Sequence, residues 1–287
     1  MNPEKIAFLV DSCAEMEPRH CQGIPVYIVP LRITCNDGSY DAGETITSDE
    51  IYRRLEAGEL PKTSLPQPSR VEETLAHIKA DGYERVIALP LSSGLSGTHN
   101  MIRIACEERE DLITAVFDTC SGAIPLGAMV LQLWEDIQNG MSWEQLMEER
   151  VPHLLKNTHP YFSVDTLEYL QKGGRIGKIT ALAGTVLNIK PILTFAEDGQ
   201  LVNAAKVRGS RQVQSKLIEL VKQHLGEHRD FNLLVANGGA EEEMAQLKAD
   251  LMAAIPGCRH VWDSHIDATL ASYIGRGVLG ACIMLLD

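Results

Sequence analysis

A strongly apolar segment, residues 85–91, runs straight into the loop Ser92-Ser93-Gly94-Leu95-Ser96-Gly97-Thr98, and a helical pattern follows from about His99 to Glu108. A short apolar run without alternation reads as a strand buried on both faces, and such strands belong to sheets covered by helices. The unit recurs along the chain. Residues 5–10 end at Asp11-Ser12-Cys13, and residues 112–117 end at Asp118-Thr119-Cys120-Ser121-Gly122 before a long helix to about Asn139. Helix starts are also signalled by Thr47 with Glu50, Ser69 with Glu72 and Ser142 with Gln145, each pair in capping-box order. The alternation predicts an α/β chain whose N-terminal part is a mainly parallel sheet with helices on both faces.

Two stretches interrupt this rhythm. Residues 24–33 read as a strand region broken by Pro25 and Pro30, and Pro61-Lys62-Thr63-Ser64-Leu65-Pro66-Gln67-Pro68 reads as a loop kept extended by three prolines. A larger change falls at residues 157–160. Beyond it a strand at 161–164 and a short helix lead to Lys172-Gly173-Gly174-Arg175. Residues 191–195 and 201–207 then flank Glu197-Asp198-Gly199, a hairpin signal. Helices at about 210–225 and 240–254 surround a strand at 232–236, and residues 280–286 read as a final strand. A length of 287 residues is more than one core usually serves. Two domains are therefore expected: residues 1–157, and residues 158–287 as an α/β domain with a mixed sheet.

The net charge of −13 offers no basic stripe for neutralising phosphates, which argues against a nucleic-acid binder. It also disfavours rest on an anionic membrane. Basic residues nevertheless cluster between Lys172 and Lys178 and between Lys206 and Lys216, as a docking face would require. The seven cysteines are odd in number and include no Cys-x-x-Cys, which reads as reduced thiols in a cytoplasmic protein with no zinc site. No signal peptide fits the N-terminus, and no apolar stretch approaches the ~20 residues of a membrane helix, so stable membrane insertion is not expected.

In an open parallel sheet, ligands bind beyond the carboxyl ends of the strands. Three polar loops fall there, at Asp11-Ser12, 92–98 and 118–122. The middle loop carries four hydroxyls and two glycines immediately before a helix. Glycines permit close backbone approach, and hydroxyls add donors without charge, so the loop suits a carboxylate or a phosphate. Thr63-Ser64 adds two more hydroxyls on a proline-stiffened segment. Catalytic patterns fit less well. Gly94-Leu95-Ser96-Gly97 is not Gly-x-Ser-x-Gly, and His99 stands on the following helix. No phosphate-binding loop or Gly-x-Gly-x-x-Gly after a strand is present. His224 and His228 lie four apart, but His228 reads as past the helix end, so a metal pair is not expected.

At these loops the sequence resembles the DegV family, nearly end to end. The resemblance rests on Asp11-Ser12, Pro30-Leu31, Lys62-Thr63-Ser64, the 92–98 loop and Asp118-Thr119. In the second half it rests on residues 164–170, Lys172-Gly173-Gly174-Arg175-Ile176, Leu187-Asn188-Ile189-Lys190-Pro191-Ile192-Leu193 and Lys206-Val207-Arg208-Gly209. It implies two α/β domains enclosing a long-chain fatty acid such as palmitate, stearate or oleate, with no catalytic residue and no cofactor. The carboxylate would be held by Thr63 and Ser96, with Ser93 and Ser64 close by. The resemblance further implies presentation of that carboxylate to a separate fatty acid kinase, which makes acyl-phosphate for phospholipid synthesis. Arg175 and Arg208 would meet the kinase or the phosphate. Two departures touch the head-group end. Tyr273 in Tyr273-Ile274-Gly275-Arg276-Gly277 stands where the family commonly has histidine, and the Thr-Ser loop is longer than usual. The competing readings are a small-molecule phosphotransferase of the dihydroxyacetone-kinase-related type and a serine hydrolase.

Overall fold

The first strand, β1 (Ile6–Asp11), is buried on both faces. Ile6, Phe8 and Val10 join one apolar cluster, and Ala7 and Leu9 join another. The alternation follows from the period-two geometry of a strand. The structure, a computed structural model, describes residues 2–179, 189–209 and 211–287. The helix start expected at Ser210 and the residues Leu187 and Asn188 of the second-half signature lie outside these.

After β1 come β2 (Val26–Val29), β3 (Arg32–Cys35), β4 (Gly38–Asp41), α1 (Ser48–Glu56), β5 (Lys62–Ser64) and α2 (Pro68–Ala80). Then follow β6 (Arg85–Ala88), α3 (Thr98–Glu107), β7 (Ile113–Val116), α4 (Ile124–Gln138), α5 (Trp143–Gln145), a π-helical turn (Leu146–Arg150) and α6 (Val151–Lys156). The rest comprises β8 (Thr158–Ser163), α7 (Glu168–Lys172), β9 (Ile189–Phe195), β10 (Leu201–Arg208), α8 (Arg211–Leu225), β11 (Phe231–Gly238), α9 (Glu241–Ala254), β12 (Val261–His265), α10 (Ala268–Ile274) and β13 (Val278–Leu285).

The first sheet is parallel, in the order β2-β1-β6-β7. Val71, Leu75 and Ile78 of α2 and Ile102 of α3 cover one face, and Ile51 of α1 and Leu126 and Met129 of α4 cover the other. The second sheet is mixed, in the order β10-β9-β8-β13-β11-β12, with only β11 and β12 parallel. Its outer face packs on Val213 and Leu217 of α8 and Leu247 and Leu251 of α9. Its inner face, through Leu234, Ala236, Val278 and Cys282, joins the same apolar cluster as α1 and α4. The two α/β units thus share one continuous apolar cluster.

Several local expectations change. Residues 24–33 form two strands in two sheets, because Pro30 separates β2 from β3, and β3 pairs with β4 and β5 in a small antiparallel sheet. The stretch read as an extended loop at 61–68 therefore contains a strand. At Ser142 both capping-box bonds form, 3.0 Å and 3.3 Å long. At Thr47 only one forms: Glu50 turns instead to Arg54, at 2.7 Å. Ser69 caps nothing, since α2 begins one residue earlier with Pro68, whose missing N–H costs nothing at a helix start. His228 lies past the end of α8 and pairs with Asp287 at 2.8 Å. All seven cysteines are free thiols. Among the described residues no helix is long and apolar enough to cross a membrane.

Candidate functional site

The strand order reverses at β1 and β6, and their carboxyl ends are tied together by one carboxylate. Asp11, fully buried, accepts hydrogen bonds from the N–H of Cys13 at 2.9 Å and the N–H of Leu91 at 2.7 Å. This aims the 92–98 loop toward the second sheet. The buried Ser92 hydroxyl donates to the carbonyl of Gly199 in the β9–β10 turn, at 2.9 Å. Gly94 lies so close to this turn that a Cβ there would meet the Asp198 carbonyl oxygen at 2.5 Å, so only glycine permits the approach.

Beyond this clasp lies a cavity lined mostly by apolar side chains. Its floor is the inner face of the second sheet. Ala236, Gly280 and Phe162 stand side by side on β11, β13 and β8. The next row along those strands is Leu234, Cys282 and Pro160, and Val278 flanks the other side. The small residues Ala236 and Gly280 thus cut a furrow across the sheet between larger neighbours. Leu91, Leu95 and residues 122–125 form the opposite wall.

Polar side chains gather where β5, the 92–98 loop, α7 and α10 meet. Thr63 Oγ1 is hydrogen-bonded to the Tyr273 hydroxyl. Arg175 lies over the Tyr273 ring at 5.3 Å from its centroid. Its guanidinium donates to the carbonyls of Gly173 at 2.9 Å and Leu95 at 3.3 Å. Ser96 Oγ sits 2.8 Å from Thr98 Oγ1. Thr63, Ser96, Arg175 and Tyr273 all line the apolar cavity. Thr63, Arg175 and Tyr273 also line a second, outer hollow, together with Lys62 and Lys172. This vestibule is basic although the chain as a whole carries a charge of −13.

The structure brings four of the seven candidate residues together and leaves three apart. Ser64 follows Thr63 along a strand, so it faces the other way and is exposed. Ser93 is exposed, and its hydroxyl and N–H bind Asp118. Burial works against the Asp118 carboxylate, but the bonds from Ser93 and Cys120 outweigh it and hold its pKa below the ordinary value. Arg208 is exposed at the end of β10 and does not line the cavity. Arg175, by contrast, is half-buried and pinned by two carbonyls.

Sequence reasoning missed Thr269. It is buried on α10 and lines the cavity beside Leu270 and Tyr273. Asp267, which caps α10 through the N–H groups of Thr269 and Leu270 at 3.0 Å and 2.9 Å, was the available signal for a helix there.

A family model described as an uncharacterised protein, DegV family, matches residues 5–285. A DegV domain-containing protein of Clostridium acetobutylicum is 34 % identical over 280 residues, covering 98 % of this chain and 99 % of the relative. Among solved structures, a DegV family protein from Thermus thermophilus, described by its fatty acid binding, is 28 % identical, with a TM-score of 0.91 and 100 % of both chains covered. DegV of Bacillus subtilis, described as a fatty acid binding protein, is also 28 % identical, with a TM-score of 0.86 and 99 % of each chain covered. With one model spanning nearly the whole chain and a relative aligned along nearly all of it, this protein belongs to the DegV family.

Proposed function

We propose that the protein binds one long-chain fatty acid, such as palmitate, stearate or oleate, in the apolar cavity and works as a cytoplasmic carrier rather than an enzyme. The observation that carries this reading is the polarity gradient of the cavity. Apolar side chains line its length, and Thr63, Ser96, Arg175 and Tyr273 cluster at one end. That distribution matches a ligand with one polar head and a long apolar tail. The fatty acid binding described for the solved relatives supports it. We infer further that the domains part near residue 157, where strands stop joining the first sheet and start joining the second. Ser96 Oγ engages a threonine hydroxyl, and this fits an anchoring role better than the nucleophile of a serine hydrolase. A cofactor has no part in this reading.

Fluorescence titration with palmitate tests the head-group assignment. Charge-assisted hydrogen bonds contribute roughly 1.5–3 kcal/mol each, so Thr63→Val and Ser96→Ala should each weaken binding by about ten- to a hundredfold with the fold intact. Unchanged affinity in both variants would put the carboxylate elsewhere.

We also propose that the carboxylate is presented to a separate fatty acid kinase for acyl-phosphate formation in phospholipid synthesis. The basic vestibule supports this step, because it adjoins the head-group end and suits an incoming phosphoryl group. Arg208 is offered as a contact on the kinase-facing surface. Arg175→Ala should lower acyl-phosphate formation by a kinase from the same organism, measured in a reconstituted assay, by about tenfold. Full activity of that variant would remove Arg175 from the transfer step.

A further inference from the structure

Among the described residues, every half-buried arginine pairs with an aspartate or glutamate, except Arg175. Arg208, Arg211 and Arg229 also stand outside these ion pairs, but they are exposed, so water solvates their charge. Arg175 has no such compensation. Among the described residues it is also the one charged side chain that lines the cavity.

Its position follows from the two glycines before it. α7 ends at Lys172, and Gly174 adopts a left-handed conformation with φ of +71°. This turns the chain back, so that the N–H of Arg175 donates to the Leu170 carbonyl at 2.9 Å. Gly173 makes room for Tyr273, since a Cβ there would meet the Tyr273 ring at 2.4 Å. The guanidinium lies over that ring, with Nε donating to the Leu95 carbonyl and Nη1 to the Gly173 carbonyl. These contacts fix the fork beside the loop that carries Ser96, but none of them brings a full negative charge. Lys172, which lines the vestibule with it, is already paired with Glu168 at 2.5 Å. A partly desolvated cation without a counter-ion is costly, so an anion belongs beside Arg175.

From this unpaired charge on the wall of an otherwise uncharged cavity, we infer that Arg175 is the counter-ion of the bound head group. It makes the protein selective for ionised long-chain acids over neutral lipids with the same chain, such as the alcohol or the primary amide. The inference rests on the fatty acid reading above and deepens it. The hydroxyls of Thr63, Ser96 and Tyr273 both donate and accept, so they serve an alcohol or an amide as well as a carboxylate. They fix the head group without choosing its charge. The guanidinium only donates and is always charged. A carboxylate gains a charge-assisted bond from it, whereas a neutral head group leaves the cation unpaired inside the site. Discrimination therefore comes from the cost imposed on the wrong ligand as well as from the bond offered to the right one.

The test is equilibrium binding of labelled palmitate, 1-hexadecanol and palmitamide, delivered from cyclodextrin to delipidated protein at about pH 8, where palmitate is ionised. Wild-type protein is expected to bind palmitate at least about thirtyfold more tightly than either neutral lipid. Arg175→Gln keeps a planar donor and removes the charge. It should weaken palmitate by about tenfold or more and leave the alcohol and the amide within about twofold, so that most of the selectivity disappears. Retained binding of the two neutral lipids shows in the same experiment that the variant is folded. The inference is overturned if wild-type protein binds the neutral lipids as tightly as palmitate. It is also overturned if Arg175→Gln weakens all three ligands alike, which would make Arg175 a support for the Tyr273 ring. Failure of wild-type protein to bind any of the three would overturn the fatty acid reading and this one together.

Discussion

Replacing Gly280 with leucine is expected to abolish fatty acid binding without harming the fold. Gly280 sits in the middle of β13, on the cavity floor. A Cβ at this position would meet its nearest neighbours, Phe162 Cβ, Ala236 Cβ and the Tyr161 carbonyl oxygen, at 3.6–3.7 Å, ordinary van der Waals distances. The backbone therefore accepts a side chain, and a strand interior favours leucine over glycine. The rest of the leucine has only the furrow to occupy. It would displace a length of acyl chain equivalent to about four methylenes, and at ~0.8 kcal/mol each the loss is about 3 kcal/mol, or at least a hundredfold in affinity. Palmitate titration with thermal melting checks both halves. Lost binding with an unchanged or raised Tm is the expected result. Retained binding would mean that the chain does not cross the sheet at Gly280.

The second large effect concerns pH. Asp11 and Glu15 lie buried, and Asp267 half-buried, where the end of β1 meets the start of α10. Burial raises the pKa of all three, that of Asp11 to about 7 and that of Glu15 well above its ordinary value, and the Asp267 charge pushes Asp11 and Glu15 further up. The backbone N–H groups of Leu91 and Cys13 oppose the rise at Asp11, and the Ser264 hydroxyl opposes it at Glu15. Cys13 and Tyr52 face the same region, and burial keeps both protonated. In the unfolded chain these carboxyls ionise near about 4, whereas in the folded chain they hold their protons to higher pH. Folding therefore takes up protons in the interval. The stability they contribute is fully present below about pH 4 and is lost as pH rises through about 7, on the order of 4 kcal/mol for Asp11 alone. Glu15→Gln isolates one member. Glu15 Oε2 accepts from the Ser264 hydroxyl, so an amide at this position keeps an oxygen for that bond and removes the charge. Denaturant unfolding at about pH 5 and about pH 8 should find the variant gaining stability over wild type at the higher pH. Parallel pH curves would show that Glu15 is not the group that titrates.

Much of this architecture was legible because it is local. The three loops at the ends of β1, β6 and β7 announce themselves as apolar runs ending in small polar residues, and the Asp-Gly hairpin is a two-residue signal. What stayed hidden depends on distant partners. The small sheet of β3, β4 and β5 is built from strands of only three or four residues, and each is stable only through pairing. The alternation that turns Thr63 inward and Ser64 outward exists only once β5 is recognised as a strand. Thr63 and Tyr273 are 210 residues apart, and nothing near either one announces their contact. Tyr273 was found through family resemblance, and Thr269 was not found at all. The acidic cluster was equally silent, since Glu15 looks like any surface glutamate until β12 and α10 close over it.

Occupancy of the cavity by a fatty acid can be read by denaturing the protein purified from a heterologous host and analysing the released lipid by mass spectrometry. Burial of each methylene contributes about 0.8 kcal/mol, so a long acyl chain binds tightly enough to survive purification. A long-chain fatty acid is expected at close to one per protein chain. No released lipid, together with failure of the delipidated protein to bind palmitate or oleate, would contradict it.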